Sequence, residues 1–174
     1  MARKIMTKVM ALLSITDDIY DVYGTSDELQ SFTDVIMRWD ELEEAAQQLK
    51  EYLKVHFHNL TKALQDFNNE LSSHGKSYRI KYLQILKVIV RAWNDEVKWR
   101  DDGYIPALRE HLEVSTVTTG YNVLACASFI EMGDVVTKEV FDWVLTFPKF
   151  SYQAALICRF RDDVVSQEVT YTQS

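Results

Sequence analysis

Glycine and proline are scarce: five and two in 174 residues. Few turn-forming residues make long helices the first expectation. Cysteine is nearly absent. Cys126 and Cys158 sit in apolar surroundings, and no CxxC or Cys/His spacing appears. Both read as buried free thiols in a reducing compartment, so a cytoplasmic location is expected. Basic charge is in deficit, with 19 Lys and Arg against 26 Asp and Glu, a net charge of −7. Nucleic acid is excluded as a partner, because phosphate backbones need a basic face. A phosphorylated small molecule is not excluded, since acidic residues hold phosphate through bridging metal ions. No apolar run reaches the roughly 18 residues of a membrane span. The start, MARKIMTKVMALLSI, is basic and then apolar, but DDIYD stands where a cleavage site would be, so it is not read as a signal peptide.

What is there is an ordinary globular composition, 47% hydrophobic and 26% charged, enough for one domain with a real core. Gly24 ends the first segment. Thr25 and Glu28 look like a capping pair opening a helix through about Trp39. Over 41–71, Leu49, Leu53, Phe57, Leu60, Leu64, Phe67 and Leu71 recur at helical spacing. Residues 77–100 resume it with Tyr78, Ile80, Leu83, Leu86, Val90, Trp93 and Val97. A segment from Pro106 to about Glu131 is interrupted at Gly120. A short helix near 137–146 and a last one over about 150–169 complete the chain. Strand alternation is weak throughout. The expected architecture is all-α, with about seven helices and no linker or repeat.

The first chemical signal is Ile15-Thr16-Asp17-Asp18-Ile19-Tyr20-Asp21, after the apolar MALLS. On a helix Asp17 and Asp21 share a face one turn apart, and Asp18 points about 100° away. Like charges at that spacing repel, and carboxylates near a helix C-terminus also oppose its dipole. Divalent cations offset both costs. Mg²⁺ takes oxygen ligands, commonly one or two carboxylates completed by water and phosphate. The second signal is Arg161-Asp162-Asp163-Val164-Val165-Ser166, again after an apolar segment, with Asp162 and Ser166 on one face. Two such helices facing each other would clamp a cluster of Mg²⁺ ions.

DDIYD with VYGT, then ELQSFTDVIMRWD, LKEYLK, SSHGKSYR, Glu96-Val97-Lys98-Trp99, Gly103-Tyr104-Ile105-Pro106, Thr118-Thr119-Gly120-Tyr121, Ser128-Phe129, Met132-Gly133, Thr137-Lys138-Glu139, Phe147-Pro148-Lys149 and finally Ile157-Cys158-Arg159-Phe160-Arg161-Asp162-Asp163 resemble the catalytic α-domain of plant class I terpene synthases. The mix is most similar to the sesquiterpene-forming group, although DDIYDVYGT also occurs in monoterpene-forming members. The resemblance implies an antiparallel helical bundle over residues 1–174, an enzyme and a carbon–oxygen lyase chemistry. It implies Mg²⁺, three ions with Mn²⁺ as a substitute, and a prenyl diphosphate substrate, farnesyl diphosphate first. Asp17 and Asp21 would bind metal with Asp18 in support. Asp162 and Ser166, beside Asp163, would bind the third ion. Arg159 would contact the diphosphate. The helix break at Thr119, Gly120 and Tyr121 would turn backbone carbonyls toward a developing carbocation.

The sequence departs from that pattern in places. The family's second motif ends in a glutamate four residues past the Ser/Thr, and here that position is Thr170. Glu168 lies about 200° around the helix from Ser166 and cannot substitute. The family's domain also extends beyond both ends of this chain, so a partial domain with exposed apolar helix faces is expected. The alternative function is therefore a non-catalytic remnant that binds Mg²⁺–diphosphate weakly or self-associates through those faces. His56 and His58, two apart, read as packing or surface residues. Trp39, Trp93, Trp99 and Trp143 read as core, and Lys98 with Arg100 as a solvated face. Ser14, Ser31 and Ser128 have no base at triad spacing.

Overall fold

The computed structural model describes residues 2–38, 46–130 and 132–172, with side chains described over 3–38, 46–130 and 132–165. Helix α1 covers Ala2–Asp18 and runs into a π-helical turn, Ile19–Tyr23. Then come α2 (Ser26–Met37), α3 (Glu51–Ser72), a 3₁₀ segment (Ser77–Gln84) and α4 (Ile85–Asp102). Next are α5 (Leu108–Thr118), α6 (Tyr121–Ile130), α7 (Lys138–Leu145) and α8 (Lys149–Thr172). No strand occurs among the described residues, as expected. Among the described residues eight α-helices stand where about seven were expected, because the break at Gly120 makes α5 and α6 separate helices.

Helix α4 is the centre of the bundle and packs against α2, α5, α6 and the π turn. Its Leu86, Ile89, Val90, Trp93 and Val97 are buried. Helix α3 buries Leu53, Phe57, Leu60, Phe67 and Leu71, the stripe read from the sequence. Each such side chain contributes about 1.5–3 kcal/mol through burial. The capping pair also forms: Thr25 N–H donates to the Glu28 carboxylate at 3.2 Å.

Residues 77–84 do not continue as an α-helix. The tighter 3₁₀ turn stacks i and i+3, so Arg79 and Tyr82 both turn inward. The Arg79 guanidinium is fully buried and donates to the carbonyls of Phe129, Ile130, Met132, Gly133 and Val136. It lies 5.7 Å from the rings of both Tyr78 and Phe141. This cation closes the carbonyl end of α6, where the helix dipole is negative.

Several side chains depart from expectation. Trp93 is core, but Trp99 is only half-buried and Trp143 is half-exposed, on the outer face of a short helix. Trp39, the start of the 41–71 run and Glu131 lie outside the described residues. Cys126 is a buried free thiol, whereas Cys158 is free and only half-buried. His56 packs inside on the Thr16 hydroxyl at 2.8 Å, and His58 faces solvent, as read. An apolar face is open on α8: Phe150 is 79% and Ile157 71% exposed, with Phe160, Val164 and Val165 beside them. No helix is long and apolar enough to cross a membrane among the described residues.

Candidate functional site

Helix α1 delivers the first carboxylates because Val9 and Leu13 anchor one face of it in the core. The chain then widens into the π turn, and π turns recur at functional sites. Five contacts hold it. Tyr20 donates or accepts at the Thr33 hydroxyl, 2.7 Å away, and its ring stacks on Trp93 at 5.8 Å. Arg100 donates to the Tyr20 and Asp21 carbonyls at 3.3 and 3.4 Å. Gly24 N–H donates to the Ile19 carbonyl at 2.9 Å. A Cβ on Gly24 would stand 2.3 Å from the Leu29 side chain, so only glycine fits there.

The expected plain α-helical pair is thus a pair spanning an α-to-π junction, yet the two carboxylates still act on each other. Asp17 is half-buried, and its pKa is pushed up to about 6. Burial is the main cause, Asp21 and Asp18 add to it, and Trp93 and Arg159 oppose it. Asp21 is raised by desolvation first, against Arg100 and Arg159, with Asp18 and Asp162 adding to the rise. Asp18 is exposed, turned off that face as expected.

The second cluster lies on α8, which packs on α5 and α6. Arg159 grips both aspartates of its own helix, Asp163 at 2.7 Å and Asp162 in a still shorter pair. Asp163 also lies 3.8 Å from His111 Nε2 on α5. Asp162 is close enough to Asp21 to act on its charge. The structure therefore brings Asp17, Asp21, Asp162 and Arg159 to one place, from opposite ends of the sequence. Ser166 is in α8, but its side chain, like those of Glu168 and Thr170, lies outside the described residues.

The break forms where the sequence placed it. Thr119 closes α5, Gly120 has φ of +74°, and Tyr121 opens α6. A Cβ on Gly120 would meet Ile89 and Leu13 only at ordinary contact distance, so backbone conformation and not space demands glycine.

Three residues of α4 join the site without having been anticipated. Glu96 is half-buried, its pKa pushed up to about 7 by desolvation first, with Asp21 and Asp17 adding to it. It accepts a hydrogen bond from Thr118 at 3.2 Å, beside the break. Arg100, read as a solvated cation, supports the π turn. Trp93, read as core, is core and also lies against Asp17. Trp93, Glu96 and Arg100 are spaced by three and four, the helical signal that would have found them.

Among the described residues no three His, Cys, Asp or Glu side chains converge into a ready-made cation cage. The donor chemistry nonetheless fits a hard divalent ion. All the donors are oxygens, and burial disfavours the charged forms of Asp17 and Asp21, a cost that a bound cation would offset.

The model of the terpene synthase family, metal binding domain, matches residues 1–173. The chain belongs to the terpene synthase family. Among the relatives of this terpene synthase domain, the (-)-germacrene D synthase of Vitis vinifera is 45% identical over 165 residues, 94% of this chain and 29% of that protein. Sesquiterpene synthase 2 of Toona sinensis is 43% identical over 169 residues, 97% of this chain and 30% of that protein. The crystal structure of limonene synthase with 2-fluorolinalyl diphosphate superposes with a TM-score of 0.84 at 32% identity, covering 93% of this chain and 30% of that one. The domain thus spans about 30% of the length of its curated relatives.

Proposed function

We propose that this terpene synthase domain ionises a prenyl diphosphate, farnesyl diphosphate first, with Mg²⁺ as its metal, in the cytoplasm. The observation that carries the reading is the meeting of the two acidic clusters, Asp162 acting on Asp21 with Arg159 between them. The Toona sinensis relative named as a sesquiterpene synthase supports the substrate.

Asp17 and Asp21 would hold metal from the α1 side, with Asp18 in support. Asp162, Asp163 and Ser166 would hold it from α8. Bound Mg²⁺ would stabilise charge on the departing diphosphate. Arg159 supplies donors to the diphosphate oxygens, exchanging its grip on Asp162 for the ligand. The allylic carbon–oxygen bond breaks, and its electron pair leaves on oxygen. Thr119, Gly120 and Tyr121 face the remaining cation with peptide dipoles and an aromatic ring. Buried apolar side chains such as Ile89 keep water from that end.

The test is incubation of the chain with farnesyl diphosphate and Mg²⁺, read by gas chromatography–mass spectrometry, beside Asp17→Ala. A terpene that disappears in the variant is the expected result. No product from a chain shown to be helical by circular dichroism would refute catalysis by this chain. A second reading, a non-catalytic chain that self-associates, is favoured by the open α8 face at Phe150, Ile157 and Phe160. It predicts an oligomer on sizing and no terpene.

A further inference from the structure

Trp93 is 3% exposed, yet its indole Nε1 is buried with no hydrogen-bond partner at normal geometry. An indole N–H can only donate, so leaving it unmade is costly. Nearby, Asn94 Nδ2 donates to Gln30 at 3.0 Å, and the Tyr20 hydroxyl pairs with Thr33. The indole is nevertheless close enough to Asp17 to favour its ionised form. The ring itself is fixed by stacking on Tyr20, at an interplanar angle of 24°.

We propose that the Trp93 indole N–H is a positioning donor for Asp17, completing its hydrogen bond when that carboxylate takes a divalent cation. The inference rests on the metal reading above. A metal-bound carboxylate has one oxygen committed to the ion, and the other needs a donor to fix its orientation. Trp93 sits on α4, while Asp17 ends α1, so the bond would tie the metal face of α1 to the central helix. Packing explains the ring. It does not explain an unpaired N–H beside a partly desolvated carboxylate.

The test uses Mn²⁺ titration of the full chain, followed by electron paramagnetic resonance, in wild type and Trp93→Phe. Phenylalanine keeps an aromatic ring for the Tyr20 stack and removes the donor, with some loss of ring volume. Loss of such an outer partner weakens metal binding about 10- to 100-fold, and that is the expected result. Circular dichroism confirms that the variant folds. Independently, the Trp93 indole ¹⁵N–¹H signal of the wild type should move on adding Mg²⁺ and inorganic pyrophosphate. The signals of Trp39, Trp99 and Trp143 serve as controls, and the decision stands on this signal if the variant does not fold. Equal Mn²⁺ affinity in a folded Trp93→Phe, or a Trp93 signal that moves no more than the controls while the wild type binds metal, overturns the inference alone. A wild type that binds no Mn²⁺ overturns the metal reading and the inference together.

Discussion

Asp17 and Asp21 are pushed toward their neutral forms by burial and by neighbouring carboxylates, against Arg159 and, at Asp21, Arg100, whereas Asp162 and Asp163 are gripped by an arginine of their own helix. The first pair sits at an irregular junction, partly desolvated, with donors arriving from α4. The second sits on a regular helix, more open to water. Similar letters in the sequence therefore have different electrostatic tasks. Burial disfavours the charged form of the first cluster more, so a cation gains more there. The second already owns a cation, Arg159, which it shares with Asp17, Asp21 and Glu96.

The sharpest way to break the comparison is to neutralise one carboxylate on each side. Asp21→Asn should weaken Mg²⁺–pyrophosphate binding about 100-fold, and Asp162→Asn only about tenfold, because charge count at the site tunes affinity. Isothermal titration calorimetry reads both, and equal losses would erase the distinction. Next is pH. The folded pKa values of Asp17, about 6, and Glu96, about 7, lie above their ordinary values of 3.8 and 4.5. The folded state then binds more protons than the unfolded, so their contribution is fully present below about pH 4 and lost as pH rises through about 7. Without metal, melting at pH 7.5 should come several degrees below that at pH 5.5, for a loss of about 1–2 kcal/mol. Mg²⁺ with pyrophosphate should close the gap. An unchanged gap would mean that the cost of burying these charges is not met by cations. The smallest effect belongs to the second cluster. Thr170→Glu adds a carboxylate at the family's motif position and should tighten Mg²⁺ binding about threefold, without altering the metal-free pH profile.

The helices were legible where burial has a period. The stripe on α3 and the break at Gly120 follow from spacing and from one residue able to take positive φ. The aspartates of the first cluster stood out because charge after an apolar helix is costly without a partner. The π turn was not, because it depends on Tyr20, Trp93 and Arg100 meeting in space from two helices. Glu96 was hidden for the same reason: on α4 a carboxylate between Trp93 and Val97 looks like an ordinary amphipathic position until its neighbours are known. The 3₁₀ segment was missed because Arg79, a charge, occupies what periodicity reserves for a hydrophobe.

That arginine has a bearing on how the molecule comes together. Its acceptors on and after α6 are 50 to 57 positions downstream. During synthesis the guanidinium waits in water until those carbonyls have emerged. Closing a loop of that length is entropically slow, and it gains little before most of the loop is ordered. The docking of Arg79 thus acts as a non-covalent staple between the 3₁₀ segment and the carbonyl end of α6, joining two parts of the chain that are far apart in sequence.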